Sequence, residues 1–394
     1  MKKNDSETRK SFWVFLLSLF IALYLMVSMV SISMSQIFIF LTLICWIIIL
    51  IREKQRILFP SFFWPLLVYA ALSIVSSFLS VNPEISLKDS RELLLFLIIP
   101  IVYTGFRNSQ SLQKANLAFL ASGCLSCFYS FFYFIFKASP GERITGFMGH
   151  YMTQAGLLLL FSCMALSMLF FSHQKTRYVW GLGFLFALMA LTLTLTRSAW
   201  IGLVMAVSLL LLIYKPKALI LIPVAIGLFF LLSPQPIKKR ALSIISLKNT
   251  SNKQRIEYIK AGVKIIGEYP LFGTGPDTVD MVFQHPKYKL SEEARRNVHL
   301  HNNVIQIGAE RGVPTLLAWF AFMIWVFITL IKLLKNKDPI LYPFSTAALA
   351  ALLALASAGL FEYNFADSEI TTLFLYMITI PFSIARIKKD EAKV

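Results

Sequence analysis

Charge is scarce in this sequence, and negative charge is scarcest. Asp and Glu together number 20 in 394 residues against 38 Lys and Arg, and charged residues of both signs make up 15%. A soluble domain of this length carries nearer a quarter charged residues, so a soluble enzyme is excluded. Cysteine occurs four times, at Cys45, Cys124, Cys127 and Cys163, each inside an apolar run and none at metal-ligand spacing. That argues against a disulfide framework or a zinc site and leaves soft packing in lipid. No Asp-x-Asp pair, His/Cys cluster, low-complexity segment or internal repeat is present. The first apolar run is too long and too polar-flanked for a cleaved signal peptide, and no A-x-A-like site follows it.

What is abundant is apolar surface. Hydrophobic residues make up 57% of the chain, with 35 Phe. They gather in runs of about 17 to 22 residues, the length of helix that crosses ~30 Å of hydrocarbon. About twelve spans are expected, near 12–30, 34–51, 62–80, 92–106, 116–136, 151–171, 179–196, 198–214, 218–232, 313–334, 340–360 and 370–385. The fold class is an all-α polytopic membrane protein with one large, partly helical external loop. Residues 1–232 hold nine spans, 233–312 the loop, and 313–394 three more spans and a tail. Placing Lys2, Lys3, Arg9 and Lys10 in the cytoplasm also puts Arg52/Lys54/Arg56, Arg107/Lys114, Lys175/Arg177, Lys215/Lys217, Lys332/Lys335/Lys337 and Arg386/Lys388/Lys389/Lys393 there. The opposite short loops keep only Lys88/Arg91, Lys137/Arg143 and Arg197. By the positive-inside rule both termini are cytoplasmic and the long loop is outside.

The formal charge of +18 is therefore mostly topology, and nucleic acid is not an expected partner. The loop nevertheless carries 13 basic residues against seven acids, which suits an anionic, phosphorylated lipid at the membrane surface. Arg197, in Leu193-Thr194-Leu195-Thr196-Arg197-Ser198-Ala199-Trp200, is on the side where topology does not need it. It is either an interfacial arginine snorkelling beside Trp200 or a guanidinium turned into the bundle to hold a phosphate.

Within the loop, Ser251-Asn252-Lys253-Gln254 reads as a capping box. Ile256, Ile259, Val263 and Ile266 then form an apolar stripe, which predicts an amphipathic helix over 252–267 on the membrane surface or the bundle. Arg255 sits in its first turn, against the helix dipole. A second helix is expected from Asn297 to Arg311, stopping at Gly312 before Pro314. It would put His301, Ile305 and Gly308 on one face. His301 is the candidate functional histidine, His299 reads as a surface residue, and His150 is a second candidate. Glu362 and Asp367, in the turn before the last span, are either solvated or orient the histidine or a sugar hydroxyl.

These residues resemble the O-antigen ligases and the related Wzy-type polymerases. The loop signature of that superfamily is His, then Asn/Ser/Gln, nine residues, then Gly-x-x-Gly. Here His301-Asn302, nine residues and Gly312 match, while Thr315 stands at the last glycine. Arg197 before Ser-Ala-Trp, Arg255 before Tyr-Pro-Leu-Phe-Gly-Thr-Gly, and the turn at 359–369 fit as well, although Ile259 stands where an aromatic is common. The resemblance implies a membrane glycosyltransferase of the lipid-linked-sugar (GT-C-like) type, needing no cofactor and no metal. Its donor would be a glycan on undecaprenyl pyrophosphate and its acceptor the lipid A-core, among membrane lipids at the periplasmic face of the inner membrane. It also implies roles: Arg197 and Arg255 for the pyrophosphate, His301 as base or orienting acceptor, and Asn302, His150, Glu362 and Asp367 in substrate binding.

Two rivals stay open. A Wzy-type polymerase or a protein O-oligosaccharyltransferase would share the donor site; the moderate loop, with no appended soluble domain, leans towards the ligase. A transporter or flippase of an anionic lipid also suits twelve spans. Such proteins often show inverted repeats and mid-bilayer charge, and neither is found here.

Overall fold

A computed structural model describes residues 2–392 except 55, 140 and 247, with side chains from residue 12 onward. The topology signals Lys2, Lys3, Arg9, Lys10 and Lys393 have side chains outside the described set. Among the described residues there are helices and turns but no strand. The first half runs α1 (Lys2–Val27), α2 (Ile32–Glu53), α3 (Phe63–Phe78), α4 (Pro83–Asp89), α5 (Ile98–Gly105), α6 (Ser109–Phe136), α7 (Tyr151–Phe171), α8 (Arg177–Leu193) and α9 (Arg197–Tyr214). After them come α10 (Leu221–Leu232), α11 (Gln235–Leu242), α12 (Thr250–Glu268), α13 (Val279–Phe283) and α14 (Glu292–Arg295). The chain closes with α15 (Asn303–Leu333), α16 (Leu341–Ala358) and α17 (Ser368–Glu391).

Seven helices (α2, α6, α7, α9, α15, α16, α17) are long and apolar enough to cross a membrane. Four shorter apolar stretches, Phe12–Val27, Phe63–Phe78, Arg177–Leu193 and Pro216–Leu232, fall on further expected spans. The chain is a polytopic, all-helical membrane protein. The remaining expected span, 92–106, differs from its prediction: a 3-10 segment (Ser90–Leu97) leads into the eight-residue α5. Eight α-helical residues reach about 12 Å, so α5 alone does not cross.

Helices α7, α16 and α17 form the centre. Their apolar windows are 83%, 78% and 83% buried, against 28% for α2. Sequence explains why. The run Thr346-Ala-Ala-Leu-Ala-Ala in α16 presents small side chains that admit neighbours closely. A Cβ on Gly202 of α9 would stand 2.7 Å from the Ala354 carbonyl of α16. In contrast α10 buries none of its residues, and its Ile226, Leu228 and Leu231 are left to face lipid.

The loop packs a small core of its own around Tyr258, Ile265, Phe283 and Leu300, each at most 1% exposed. It is tied to α15 by a kink. Pro314 has no N–H to give the Glu310 carbonyl, and Gly312 leaves the helical region with φ 80° and ψ 169°. The freed groups find partners in the Tyr269–Gly275 turn: Thr274 N–H donates to Ala309 O (2.9 Å), Gly275 N–H to Glu310 O (2.8 Å), and Val313 N–H to Pro270 O (2.8 Å). The loop helix and the tenth span thus follow one another across a break at Gly312, where the loop helix was expected to stop, and α15 begins at Asn303, six residues later than expected. Thr315, in place of the second glycine, is buried and back-bonds to Arg311 O at 2.7 Å.

Helix α12 matches its expected extent, with one correction. Its N-cap is Asn249, so Ser251 does not form a capping box. Its buried face is Tyr258, Ala261, Gly262 and Ile265, while Ile256, Ile259 and Val263 are exposed.

Candidate active site

The site is built where α8 turns into α9. Helix α8 ends on a threonine-rich stretch, and Leu195 takes a left-handed conformation (φ 53°) that starts α9 at Arg197. That turn aims the Arg197 side chain inward rather than toward the surface: it is 4% exposed. Its Nη1 donates to Ser243 O at 2.6 Å and to Ser243 Oγ at 3.1 Å, and its Nη2 to Ser251 Oγ at 3.1 Å. Ser251 Oγ also accepts from Arg255 Nη1 at 3.3 Å. The hydroxyl expected to cap α12 instead bridges two guanidiniums, because a charged donor outcompetes a backbone N–H.

Two further arginines converge there. Arg143 Nη2 and Arg240 Nε both donate to the Leu195 carbonyl, at 3.1 and 3.0 Å, and Arg143 also lies 3.7 Å over the Tyr151 ring. Burial holds the Arg240 and Arg255 guanidiniums below their ordinary values, and Arg143 adds repulsion to both. Arginine remains charged regardless, so the cluster holds unfavourable electrostatic energy that a bound anion would relieve.

His301 stands at the other end of this cluster. It lies outside the helix expected to carry it, in the loop before α15, with a left-handed φ of 50°. A non-glycine residue there is strained and needs its surroundings to hold it. Asn302 does so: its Oδ1 caps α15 by accepting from Ile305 N–H (3.1 Å), and its Nδ2 donates to Leu360 O (2.9 Å). Both ends of that amide are occupied structurally. The same 360–363 turn receives Arg255 Nε on Phe361 O (3.0 Å) and presents Glu362, whose Oε1 is 2.9 Å from His301 Nδ1. Burial alone would push the Glu362 carboxyl up. The hydrogen bond from His301, with the Arg255 guanidinium beside it, outweighs this and leaves it below the usual range.

Two cavities meet at His301 and Ser198, which line both. The smaller, about 230 Å³, pairs Arg197 and Arg255 with apolar walls from Ile201, Ile256, Ile259 and Phe361. The larger, about 410 Å³, sets polar and aromatic side chains (His150, Tyr151, His299, Glu362, Tyr363 and Asp367) among aliphatic ones such as Leu159, Leu355 and Ile370. His150 is exposed at its rim, with Nδ1 3.5 Å from Thr153 Oγ1. Asp367 is less free. Its Oδ2 accepts from Thr153 Oγ1 (2.6 Å) and its Oδ1 caps α17 at Ile370 N–H (3.1 Å). Burial pushes its carboxyl up to about 6, with Glu369 adding to the rise.

The geometry therefore brings Arg197, Arg255, His301 and Glu362 together, sets His150 and Asp367 across the larger cavity, and gives Asn302 to capping. Arg143 and Arg240 are not among the residues expected in the site, and His299, expected at the surface, lines the larger cavity instead. The signal for the two arginines was present: both are basic residues on the side where topology does not require them. For His299 no such signal exists, since its burial depends on how the 297–302 segment folds back.

Residues 182–320 match the family model described as O-antigen ligase. That stretch contains Arg197, Arg240, Arg255, His299 and His301 but neither Glu362 nor Arg143. A Haemophilus influenzae protein, described as uncharacterized, is 26% identical over 309 residues, which is 73% of this chain and 74% of its own length. The likeness to the O-antigen ligase family thus covers residues 182–320, about a third of the chain, and is consistent with the superfamily of O-antigen ligases and Wzy-type enzymes.

Proposed function

We propose that this protein is an O-antigen ligase. It would transfer a glycan from undecaprenyl pyrophosphate to a lipid A-core hydroxyl at the periplasmic face of the bacterial inner membrane, with both termini in the cytoplasm. The observation that carries this reading is the position of the His301–Glu362 pair between an arginine-lined apolar cavity and a larger one that carries polar and aromatic side chains. The first suits a lipid pyrophosphate; the second suits a sugar.

In the mechanism, Glu362 accepts the Nδ1–H of His301 and so leaves the Nε2 lone pair for the acceptor. The acceptor oxygen attacks the anomeric carbon as Nε2 takes its proton. The anomeric C–O bond breaks, its electron pair goes to the pyrophosphate oxygen, and Arg197 and Arg255 stabilise the charge that develops there. Two fixed guanidiniums fill the role a divalent ion plays elsewhere, so transfer is expected without metal. Attack in line from the opposite cavity inverts the anomeric configuration, and a retained configuration in the product would sink this mechanism.

The test compares wild type with His301→Ala in detergent with EDTA, supplied with an undecaprenyl-pyrophosphate glycan and lipid A-core. Transfer that survives chelation and falls ~10²–10⁴-fold in the variant supports the reading. Lengthening of the donor's own glycan instead would make it a Wzy-type polymerase. Neither product, from a well-folded sample, would return the transporter reading.

A further inference from the structure

The larger cavity holds two imidazoles that this mechanism does not use, His150 exposed at its rim and His299 beside His301. His299 and His301 both line it, separated by Leu300, whose fully buried side chain anchors the segment in the loop core. The turn that pairs with His301 also grips His299: the ring stands edge-on to Tyr363 with centroids 5.4 Å apart. Nδ1 of His299 is buried and has no hydrogen-bond partner among the described residues.

That unpartnered nitrogen determines the tautomer. A neutral imidazole carries its proton on one nitrogen only. A proton on Nδ1 would be a buried donor with nothing to accept it, whereas an unused lone pair on a weak acceptor costs less. The proton therefore belongs on Nε2. Burial, with His301 adding to it, also lowers the tendency of His299 to charge, against the opposing pull of Glu362, Asp280 and Asp89. His301 is the reverse case, because Glu362 takes its Nδ1–H and leaves Nε2 as an acceptor.

We propose that His299 is an acceptor-binding residue, whose Nε2–H donates to the hydroxyl next to the one His301 deprotonates, so that the larger cavity selects a sugar bearing a vicinal diol. One imidazole accepts and its neighbour donates, which matches two adjacent hydroxyls where one gives a proton and the other receives a hydrogen bond. A lone hydroxyl would leave the His299 donor unpaired, and a buried unpaired donor is how polar sites reject analogues. The proposal rests on the ligase reading for the identity of the bound sugar, but not for the tautomer.

The experiment has two arms. In steady-state transfer with lipid A-core, His299→Phe should raise the acceptor KM about tenfold, near the upper end for one neutral hydrogen bond, and leave the donor KM unchanged. His299→Gln, which keeps a donor, should recover most of that loss. An unchanged acceptor KM in a folded His299→Phe variant, or a His299→Gln variant no better than it, overturns the assignment. The second arm needs no turnover: nitrogen-15 spectra of histidine-labelled protein, assigned by the loss of signal in His299→Gln. A neutral ring protonated at Nε2 is expected, and protonation at Nδ1 overturns the proposal. Absence of any transfer by wild type would instead count against the ligase, and the tautomer would still decide the inference.

Discussion

Arg197 sits at the first position of α9, where the helix dipole disfavours a cation. Its guanidinium is held by two serines and not by an acid. A residue placed against its local electrostatics yet fixed by neutral acceptors keeps its charge available. Arg197→Ala is expected to lower kcat by on the order of 10²–10³, the worth of one preorganised donor to a developing anion. Arg197→Lys should restore little of it, since an ammonium cannot reproduce the fork that reaches Ser243 and Ser251 together. Glu362→Gln tests the other half of the site. The amide can still accept at Oε1, but its NH₂ group can also donate to Nδ1 and favour the wrong tautomer, so kcat should fall while acceptor KM holds. Rates measured on folded protein check both; a kcat within twofold of wild type for either variant removes that residue from the chemistry. At this scale the sequence was legible where an unusual position marked a residue, as for Arg197. It was silent where a role depends on a partner distant in sequence: nothing near Ser251 says that its hydroxyl will meet Arg197, 54 positions away.

Periodicity made the elements easier to read. Apolar runs of bilayer length located the long helices, and the hydrophobic spacing of α12 located a helix in a region that is otherwise polar. Caps were misread for a physical reason: several side chains near each helix start could cap it, and tertiary partners choose among them. Helix α15 starts at the Asn302 cap, whose amide also reaches Leu360 O, and the left-handed His301 ends the loop abruptly before it. The stretch 92–106 reads as a span by composition, but composition does not distinguish a 3-10 segment from an α-helix. The kink in α15 is the element on which the loop depends. Gly312→Ala would place a Cβ 2.1 Å from the Leu271 carbonyl at a φ of 80°. A destabilisation on the order of 1–3 kcal/mol is expected, read as a lower unfolding temperature in detergent together with a loss of activity. Wild-type stability in this variant would mean that the turn at 269–275 can move away from α15 freely.

Across the whole molecule, the lopsided charge and the arrangement of apolar surface describe one organisation. Basic residues that the spans do not need are concentrated in the long loop, and the arginine cluster is their focus. The exposed side chains of α12 form an apolar stripe: Ile256, Ile259 and Val263 are 41%, 40% and 56% exposed. Ile256 and Ile259 also line the smaller cavity beside Arg255. A cavity with apolar walls that continue into an exposed apolar stripe can open sideways to lipid, whereas one ringed by polar residues would open to water. If α12 lies in the headgroup boundary, its exposed lysines at 253 and 260 can reach lipid phosphates while the stripe sits against acyl chains. A nitroxide label on Val263→Cys in liposomes tests this, since Cys45, Cys127 and Cys163 are buried and leave Cys124 as the half-buried background site. Relaxation dominated by oxygen, which concentrates among acyl chains, is the expected result. Relaxation dominated by a water-soluble nickel complex would mean that α12 stands off the bilayer, so that a lipid-linked donor would have to leave the membrane plane to reach Arg255.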